Sequence, residues 1–117
     1  MCGIAGYLGR TSNPIVCLNK MAEAINHRGP DNSGNWVDER DGIGFAHARL
    51  SILDLSSAGH QPMHSVSQNF VMIFNGEIYN HLALRSELDS INQRNWHGHS
   101  DTETLLIAIE EWGLDRT

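Results

Sequence analysis

The amino-acid sequence predicts an α+β fold, and three patterns lead to that prediction. A short apolar segment at the amino terminus indicates a buried strand, and a five-residue apolar run at 70–74 indicates another. Apolar residues recur every three or four positions at 15–25 and at 105–112, which is typical of amphipathic helices. Because strands and helices do not alternate strictly along the chain, we expect packed α+β layers rather than a doubly wound sheet.

The first elements are a strand and a helix. Residues 2–8 are small and apolar, and they predict a short buried strand that begins almost at the amino terminus. Polar residues at 11–13 and Pro14 supply the chemistry of a helix start, and the stripe at 15–25 gives the helix its apolar face. The polar, proline-containing residues 27–30 end the helix.

The middle of the chain reads as a series of short strands. Segments at 35–37, 43–48 and 50–55 have strand-like composition, and the polar turn at 38–42 predicts a hairpin between the first two. The run at 70–74 is apolar throughout, so we expect a strand covered on both faces.

Two helices are predicted in the C-terminal third. Asn80 can cap a short one, and Ser100 has capping-box spacing to Glu103 at the start of the other. Gly113 can close the second helix. Its apolar stripe comprises Leu105, Ile109 and Trp112.

Composition restricts the classes of partner. The 117 residues suffice for one hydrophobic core, and the formal net charge of −6 gives no general attraction for nucleic acid or anionic lipid. No stretch approaches the ~20 apolar residues that span a bilayer, and no signal-peptide pattern precedes the first strand. We therefore expect a cytoplasmic domain that binds a small molecule and neither nucleic acid nor membrane.

The cysteines and histidines do not form a metal-binding pattern. Cys2 and Cys17 make no CxxC pair, so reduced thiols are expected, with Cys17 filling core space inside the first helix. His97 and His99 lie two residues apart, as in some metal-binding strands, but no ligand cluster at usual spacing supports them. We expect no metal site.

Cys2 is the candidate nucleophile. A cysteine in an apolar strand is usually a small core residue. Its position changes that interpretation, because removal of Met1 would leave a thiol and a free α-amine on one residue. An α-amine has a pKa of about 7.7–8.0, so it can accept a thiol proton near neutral pH and serve as the base.

Six motifs together resemble the class II glutamine amidotransferases, and they cover essentially the whole chain. Within that class, residues 49–54, the Gln61-Pro62 pair and residues 75–80 resemble the glutamine-hydrolysing asparagine synthetases. The six motifs are residues 1–6 (MCGIAG), 27–31 (HRGPD), 49–52 (RLSI), 59–62 (GHQP), 74–80 (FNGEIYN) and 100–103 (SDTE).

The resemblance implies a fold and a domain context. It implies an N-terminal nucleophile hydrolase, a four-layer α/β/β/α sandwich of antiparallel sheets, with the nucleophile at the start of an inner strand. Residues 1–117 would be the N-terminal portion of a type 2 glutamine amidotransferase domain, truncated before its last strands. The synthetase domain, which would use ATP and Mg, would lie beyond it, and no cofactor is expected here. We also expect a homo-oligomer.

The resemblance also implies roles for the residues that bind glutamine. Arg49 would clamp the α-carboxylate, since a planar guanidinium offers two parallel hydrogen bonds. Asp101 would pair with the α-ammonium and Glu77 would shape the same end of the pocket, although Asp101 alone reads as an ordinary first-turn helix charge. The segment whose backbone would help to bind the amino acid comprises Leu50, Ser51, Ile52 and Leu53.

The catalytic roles fall on three residues. Cys2 would attack the carboxamide of glutamine, while the Asn75 side-chain amide and the Gly76 backbone N–H would form the oxyanion hole. An Asn-Gly pair is also a common turn between strands, and both interpretations can hold together. Arg28 would belong to a loop that closes over glutamine.

The predicted function is hydrolysis of L-glutamine to glutamate and ammonia, with ammonia passed to a synthetase domain that makes asparagine from aspartate. Three alternatives stay open: an amidotransferase that serves another acceptor, a non-catalytic glutamine-binding module, and an inert fragment. The first alternative depends on sequence downstream of the glutaminase half.

Overall fold

A three-stranded antiparallel sheet forms the centre of the fold. The computed structural model describes residues 2–51 and 56–117. The strands are β1 (Gly3–Leu8), β2 (Asn32–Asp38) and β3 (Ile43–Arg49), and β3 lies between the other two. β2 and β3 form the predicted hairpin, which is longer than the apolar segments indicated because its polar residues also pair.

One face of this sheet is covered by helix α1 (Pro14–Ile25). Ala46 and Ala48 of β3 and Leu18 of the helix are fully buried where the two elements pack. Small side chains on the strands allow this approach, since even a Cβ at Gly3 would lie 3.0 Å from the Ile25 side chain. The predicted helix is confirmed, and it ends in a 3-10 turn at Asn26–Arg28.

The opposite face is only partly covered. A small hairpin of β4 (Met63–His64) and β5 (Val71–Met72) lies beside it, and the Trp36 ring lies 5.5 Å from Phe45 and 6.3 Å from His64. The prediction of a strand at 70–74 covered on both faces is wrong. Within residues 2–51 and 56–117, only Val71 and Met72 of this run pair with another strand, the two-residue β4. Both are half-buried, and Phe70 is exposed.

The C-terminal third forms two helices that pack on each other. They are α2 (His81–Ile91) and α3 (Asp101–Trp112), and their shared core contains Leu88, Ile107 and Ala108. The half-buried rings of Trp96 and Trp112 pack against that core.

The helix caps agree with the sequence in part. Ser100 accepts the Glu103 N–H at 3.2 Å, as its spacing predicted, and Gly113 follows the helix at a φ of 79°. The Glu103 carboxylate instead accepts the N–H groups of His97 and Gly98. The side-chain cap predicted for Asn80 is wrong, because that side chain makes no capping hydrogen bond.

The start of α3 is buried more completely than its apolar pattern predicts. The predicted stripe of Leu105, Ile109 and Trp112 is only half-buried. Residues 101–104 are polar yet buried, because α2 encloses them on one side through Arg85, which donates to Thr104 and stacks on the Trp96 ring. The periodicity of apolar residues cannot predict a helix face that is buried through polar contacts.

The antiparallel strands and three helices confirm the α+β class. The predicted strand at 50–55 is not formed at Leu50 and Ser51, and residues 52–55 lie outside the described part of the chain. Across residues 2–51 and 56–117, no helix has the length and apolar character needed to cross a membrane.

Candidate active site

A cavity of about 260 Å³ lies where the ends of β1 and β3, the segment after β5 and the start of α3 meet. This volume is near the lower end of small-molecule sites and suits a metabolite rather than a polymer. Most of the site residues predicted from sequence line it. They are Cys2, Arg49, Leu50, Asn75, Gly76, Glu77 and Asp101. Residues that complete the wall are Gly59, Gln61, Phe74, Tyr79, Ser100 and Thr102.

Cys2 lies immediately before β1, at the edge of the cavity. Its sulfur accepts the Leu50 N–H at 3.3 Å and lies 3.6 Å from the Leu50 carbonyl oxygen. Since Gly3 pairs with Ala48, the register places Cys2 next to the end of β3, where Arg49 begins the opposite wall. The thiol is half-buried, so it is held by the backbone and still reachable from the cavity.

Arg49 is the last residue of β3 and is buried. Its Nη1 donates to the Ser56 carbonyl oxygen at 2.8 Å. The guanidinium passes directly over Gly59, where an added Cβ would lie 2.2 Å from Nη2. The absence of a side chain at Gly59 therefore sets the position of the guanidinium beside the cavity.

Asp101 is the first residue of α3 and is buried despite its charge. One carboxylate oxygen accepts the Ile78 N–H at 2.9 Å. Within residues 2–51 and 56–117 no donor reaches the second oxygen, and the residue lines the cavity. A buried carboxylate with acceptor capacity left suits a cationic ligand group such as an ammonium.

The same hydrogen bond ties α3 to the segment that carries Asn75 and Gly76. This segment leaves β5 and crosses the cavity wall, with Asn75 half-buried and Gly76 exposed. Glu77 is exposed at the rim. The Asn75 amide and the Gly76 backbone thus line the same cavity as Cys2.

Three other predicted residues lie differently. Ser51 does not line the cavity, and its N–H donates to the Asp31 carboxylate at 2.8 Å. Ile52 and Leu53 fall outside the described residues. Arg28 is exposed and its Nε donates to the Cys2 carbonyl oxygen at 3.3 Å, so in this conformation it contacts the backbone of Cys2.

Asp31 is a residue whose role the sequence did not specify. Its N–H donates to the Arg49 carbonyl oxygen at 3.0 Å, and its carboxylate accepts the Ser51 N–H. Asp31 therefore binds the backbone on both sides of Leu50. The Leu50 peptide in turn contacts the Cys2 sulfur. The motif at 27–31 contains Asp31, but nothing in its spacing predicts a partner twenty residues away.

His47 lies two residues before Arg49 on the same face of β3 and is almost completely buried. Burial lowers the pKa of its imidazole, and the nearby His60 and Arg49 act in the same direction, while a hydrogen bond to the Phe74 backbone opposes them. Its Nε2 has no partner among the described residues. Burial therefore disfavours the protonated form of this imidazole.

The described part of the chain holds no group of three or more residues able to bind a metal ion. His97 Nδ1 lies 3.3 Å from the Glu103 carboxylate, an interaction within the α3 cap. The predicted absence of a metal site stays a prediction for the chain as a whole.

Comparison with known proteins gives a family. The sequence pattern of the glutamine amidotransferase domain matches residues 1–117. Glutamine-hydrolyzing asparagine synthetase 1 of Bacillus subtilis is 40% identical in an alignment of 117 positions, which covers 96% of this chain and 18% of that protein. A putative glutamine-hydrolyzing asparagine synthetase 2 of Methanocaldococcus jannaschii is 35% identical, covering 98% of this chain and 25% of that protein.

A relative with a different name is also present. Amidase chry2 of Gibberella zeae is 31% identical over 97% of this chain and 18% of that protein. The chain thus spans about a fifth of the length of the curated relatives it matches. Because the family pattern matches from the first residue to the last, the chain belongs to the glutamine amidotransferase domain family.

Proposed function

We propose that this domain hydrolyses L-glutamine to glutamate and ammonia, with Cys2 as the nucleophile. The observation that carries the proposal is the convergence of Cys2, Arg49, Asn75 and Asp101 on one metabolite-sized cavity, although they are far apart in sequence. The cavity combines a reachable thiol, a guanidinium, an amide and a buried carboxylate. These groups match the electrophilic carbon, carboxylate, developing oxyanion and ammonium of glutamine.

In the proposed mechanism, removal of Met1 frees the Cys2 α-amine. That amine takes the thiol proton while the sulfur bonds to the carboxamide carbon of glutamine. Asn75 and the Gly76 N–H stabilise the oxyanion. The C–N bond of the carboxamide then breaks as the protonated α-amine of Cys2 gives its proton to the departing ammonia. Water, deprotonated by the same amine, attacks the remaining thioester and releases glutamate.

Substrate selection would come from the distance between the Cys2 sulfur and the two charged residues that hold the α-carbon end of glutamine. Arg49 would hold the α-carboxylate and Asp101 the α-ammonium, with Leu50 and Glu77 shaping the wall. Asparagine is one methylene shorter, so clamping its α-carbon would leave its carboxamide out of reach of the Cys2 sulfur. The backbone contributions proposed for Ser51, Ile52 and Leu53 belong to this same binding step.

The wider proposal concerns the context of the domain. We propose the layering of an N-terminal nucleophile hydrolase, in which a second sheet completes the cover of the sheet face opposite α1. The domain itself would need no cofactor. The ammonia would pass to an ATP- and Mg-dependent synthetase domain of a longer chain that makes asparagine from aspartate, and that chain would form a homo-oligomer. The curated asparagine synthetases among the relatives support this acceptor.

A second candidate is an amidotransferase that delivers ammonia to a different acceptor. The relatives chry2 of Gibberella zeae and chyE of Penicillium rubens motivate it, because they share the same stretch of sequence at 31% and 34% identity and are named amidases rather than asparagine synthetases. Both candidates require the same glutaminase step. They differ in the acceptor that consumes ammonia, and assays of the full-length protein with aspartate and ATP separate them.

The experiment that tests the proposal measures ammonia released from glutamine by three forms of the protein. These are the form with Met1 removed, the Cys2→Ala variant, and a form that retains Met1. The proposal predicts activity in the first form alone, since the others lack the thiol or the free amine. Equal release by all three would refute it, and titration calorimetry with glutamine would then separate a non-catalytic binding module from an inert fragment.

A further inference from the structure

The GHQP motif contains a buried side chain that the proposed mechanism does not use. Gln61 is 6% exposed and lines the cavity, and both ends of its carboxamide are hydrogen-bonded to other residues of the protein. A buried carboxamide has both a donor and an acceptor to satisfy. Its partners therefore indicate what it does.

Both ends of the Gln61 carboxamide bond to segments that carry proposed site residues. Its Oε1 accepts the Phe74 N–H at 2.6 Å, and its Nε2 donates to Thr102 Oγ1 at 3.2 Å. Phe74 directly precedes Asn75, and Thr102 directly follows Asp101. The Gln61 side chain thus connects the segment that carries Asn75 and Gly76 to the first turn of α3, which carries Asp101.

The backbone of Gln61 packs against the central sheet. A Cβ at Gly34 of β2 would lie 2.1 Å from the Gln61 carbonyl oxygen, so the Gln61 backbone packs directly on that strand. The pairing of β5 ends at Met72, so the Phe74 N–H lies outside the paired strand residues and takes Gln61 as its acceptor. The position of Asn75 therefore depends on a bond to a residue anchored on β2.

We infer that Gln61 is a positioning residue, which holds the Asn75-Gly76 pair at a fixed distance from Asp101 so that both ends of the pocket act on one glutamine molecule. The inference rests on the proposed glutaminase function. A catalytic constellation must be held within about 0.5 Å by its supporting residues, and a misplacement of about 1 Å can cost about 10²-fold in rate.

The test replaces Gln61 with Met, which keeps the length and shape of the side chain and removes both hydrogen bonds. We expect kcat for glutamine hydrolysis to fall about 10- to 100-fold, with a smaller change in KM. Thr102→Val removes one of the two bonds and should give a smaller loss, which Thr102→Ser largely restores. Gln93→Met, at an exposed position on the polar loop, is the matched control and should leave kcat unchanged.

A double-mutant cycle separates positioning from general destabilisation. If Gln61 acts through the Asn75 segment, Gln61→Met should have little further effect on kcat in an Asn75→Ala background. Equal losses in both backgrounds would overturn the inference, as would an unchanged kcat in folded Gln61→Met. If Gln61→Met does not fold, an unchanged kcat in Thr102→Val would overturn it.

A measurement independent of turnover keeps this inference distinct from the proposed function. Hydrogen exchange of the Phe74 amide should be faster in Gln61→Met than in the parent, and unchanged in Gln93→Met. If the parent protein releases no ammonia, the proposed function fails, whereas an unchanged exchange rate at Phe74 would show that Gln61 does not hold that segment.

Discussion

Substituting Gly59 with Ala should displace the Arg49 guanidinium, the proposed ligand of the glutamine α-carboxylate, without altering its chemistry. The new Cβ would lie 2.2 Å from Nη2 of Arg49 and 2.9 Å from its Cζ. Ordinary contact begins at about 3.4 Å, so the guanidinium must shift by about 1.2 Å. The Nη1 atom also donates a hydrogen bond to the Ser56 carbonyl oxygen at 2.8 Å, which limits the directions in which the group can move.

The expected effect is on substrate binding. A hydrogen bond to a charged group contributes about 1.5–3 kcal/mol, so loss of one arm of the clamp should raise KM for glutamine roughly 10- to 150-fold. Because the displaced atoms belong to the end of a flexible side chain, the fold itself should change little. Steady-state assays of ammonia release, together with urea unfolding, would measure both quantities.

Ser57→Ala is the matched control, since it adds no atom near Arg49 and lies on the same 3-10 turn at Ser57–Gly59. Its KM should equal that of the parent. An unchanged KM in a folded Gly59→Ala protein would refute the reasoning, because it would mean that the position of the Arg49 guanidinium does not determine glutamine binding. A fall in kcat alone would also contradict it.

Three further predictions concern catalysis, pH and packing. Asn75→Ala should lower kcat about 10²- to 10³-fold with little change in KM, because it removes the proposed oxyanion donor, which would act in the transition state. The His47 pKa is lowered by burial, so the neutral form stabilises the fold above about pH 6.5, and the free energy of unfolding should decrease as pH falls below that value. The slope from this group is at most about 1.4 kcal/mol per pH unit, and His47→Gln should remove it. Leu88→Ala should cost about 2–5 kcal/mol of stability, since Leu88 is fully buried in the core between α2 and α3.

Each of these predictions has a control and a contradicting result. An Asn75→Ala protein with parental kcat would exclude an oxyanion role for that amide. Urea unfolding over a pH series would contradict the argument if His47→Gln kept the parental dependence. Leu82→Ala, 67% exposed on the same helix, should change stability by less than about 0.5 kcal/mol. A comparable loss at both leucines would contradict the assignment of the core.

Local patterns predicted the positions of the strands in the first sheet and of the helices well. The prediction that the first strand is buried is wrong, because β1 lies at the edge of its three-stranded sheet with Ile4 and Leu8 exposed. The apolar residues of β1 and the periodicity of α1 are short-range signals, and the turn at 38–42 lies between two segments that pair. The run at 70–74 misled the prediction because the burial of a strand depends on its partner, and the partner here is a two-residue strand. Sequence composition at 70–74 contains no information about that partner.

Part of the cavity lining could be predicted, because several of the residues that form it belong to recognisable motifs. Cys2, Arg49, Asn75 and Asp101 all line the cavity as expected. The supporting contacts were not predictable, because they join residues far apart in the chain. Gln61 reaches Phe74 and Thr102 across 13 and 41 positions, and no periodicity or spacing rule indicates such pairs.

The central claim is that the Cys2 sulfur attacks glutamine, and covalent labelling tests it most directly. The protein with Met1 removed is treated with a glutamine analogue that carries an electrophilic carbon in place of the carboxamide, and the modified residue is found by peptide mass spectrometry. Cys17, the other free thiol, is also half-buried and serves as the internal control. The account predicts one label per chain on Cys2, prevented by excess glutamine. Labelling of Cys17 alone, or labelling of Cys2 that glutamine does not slow, would contradict it.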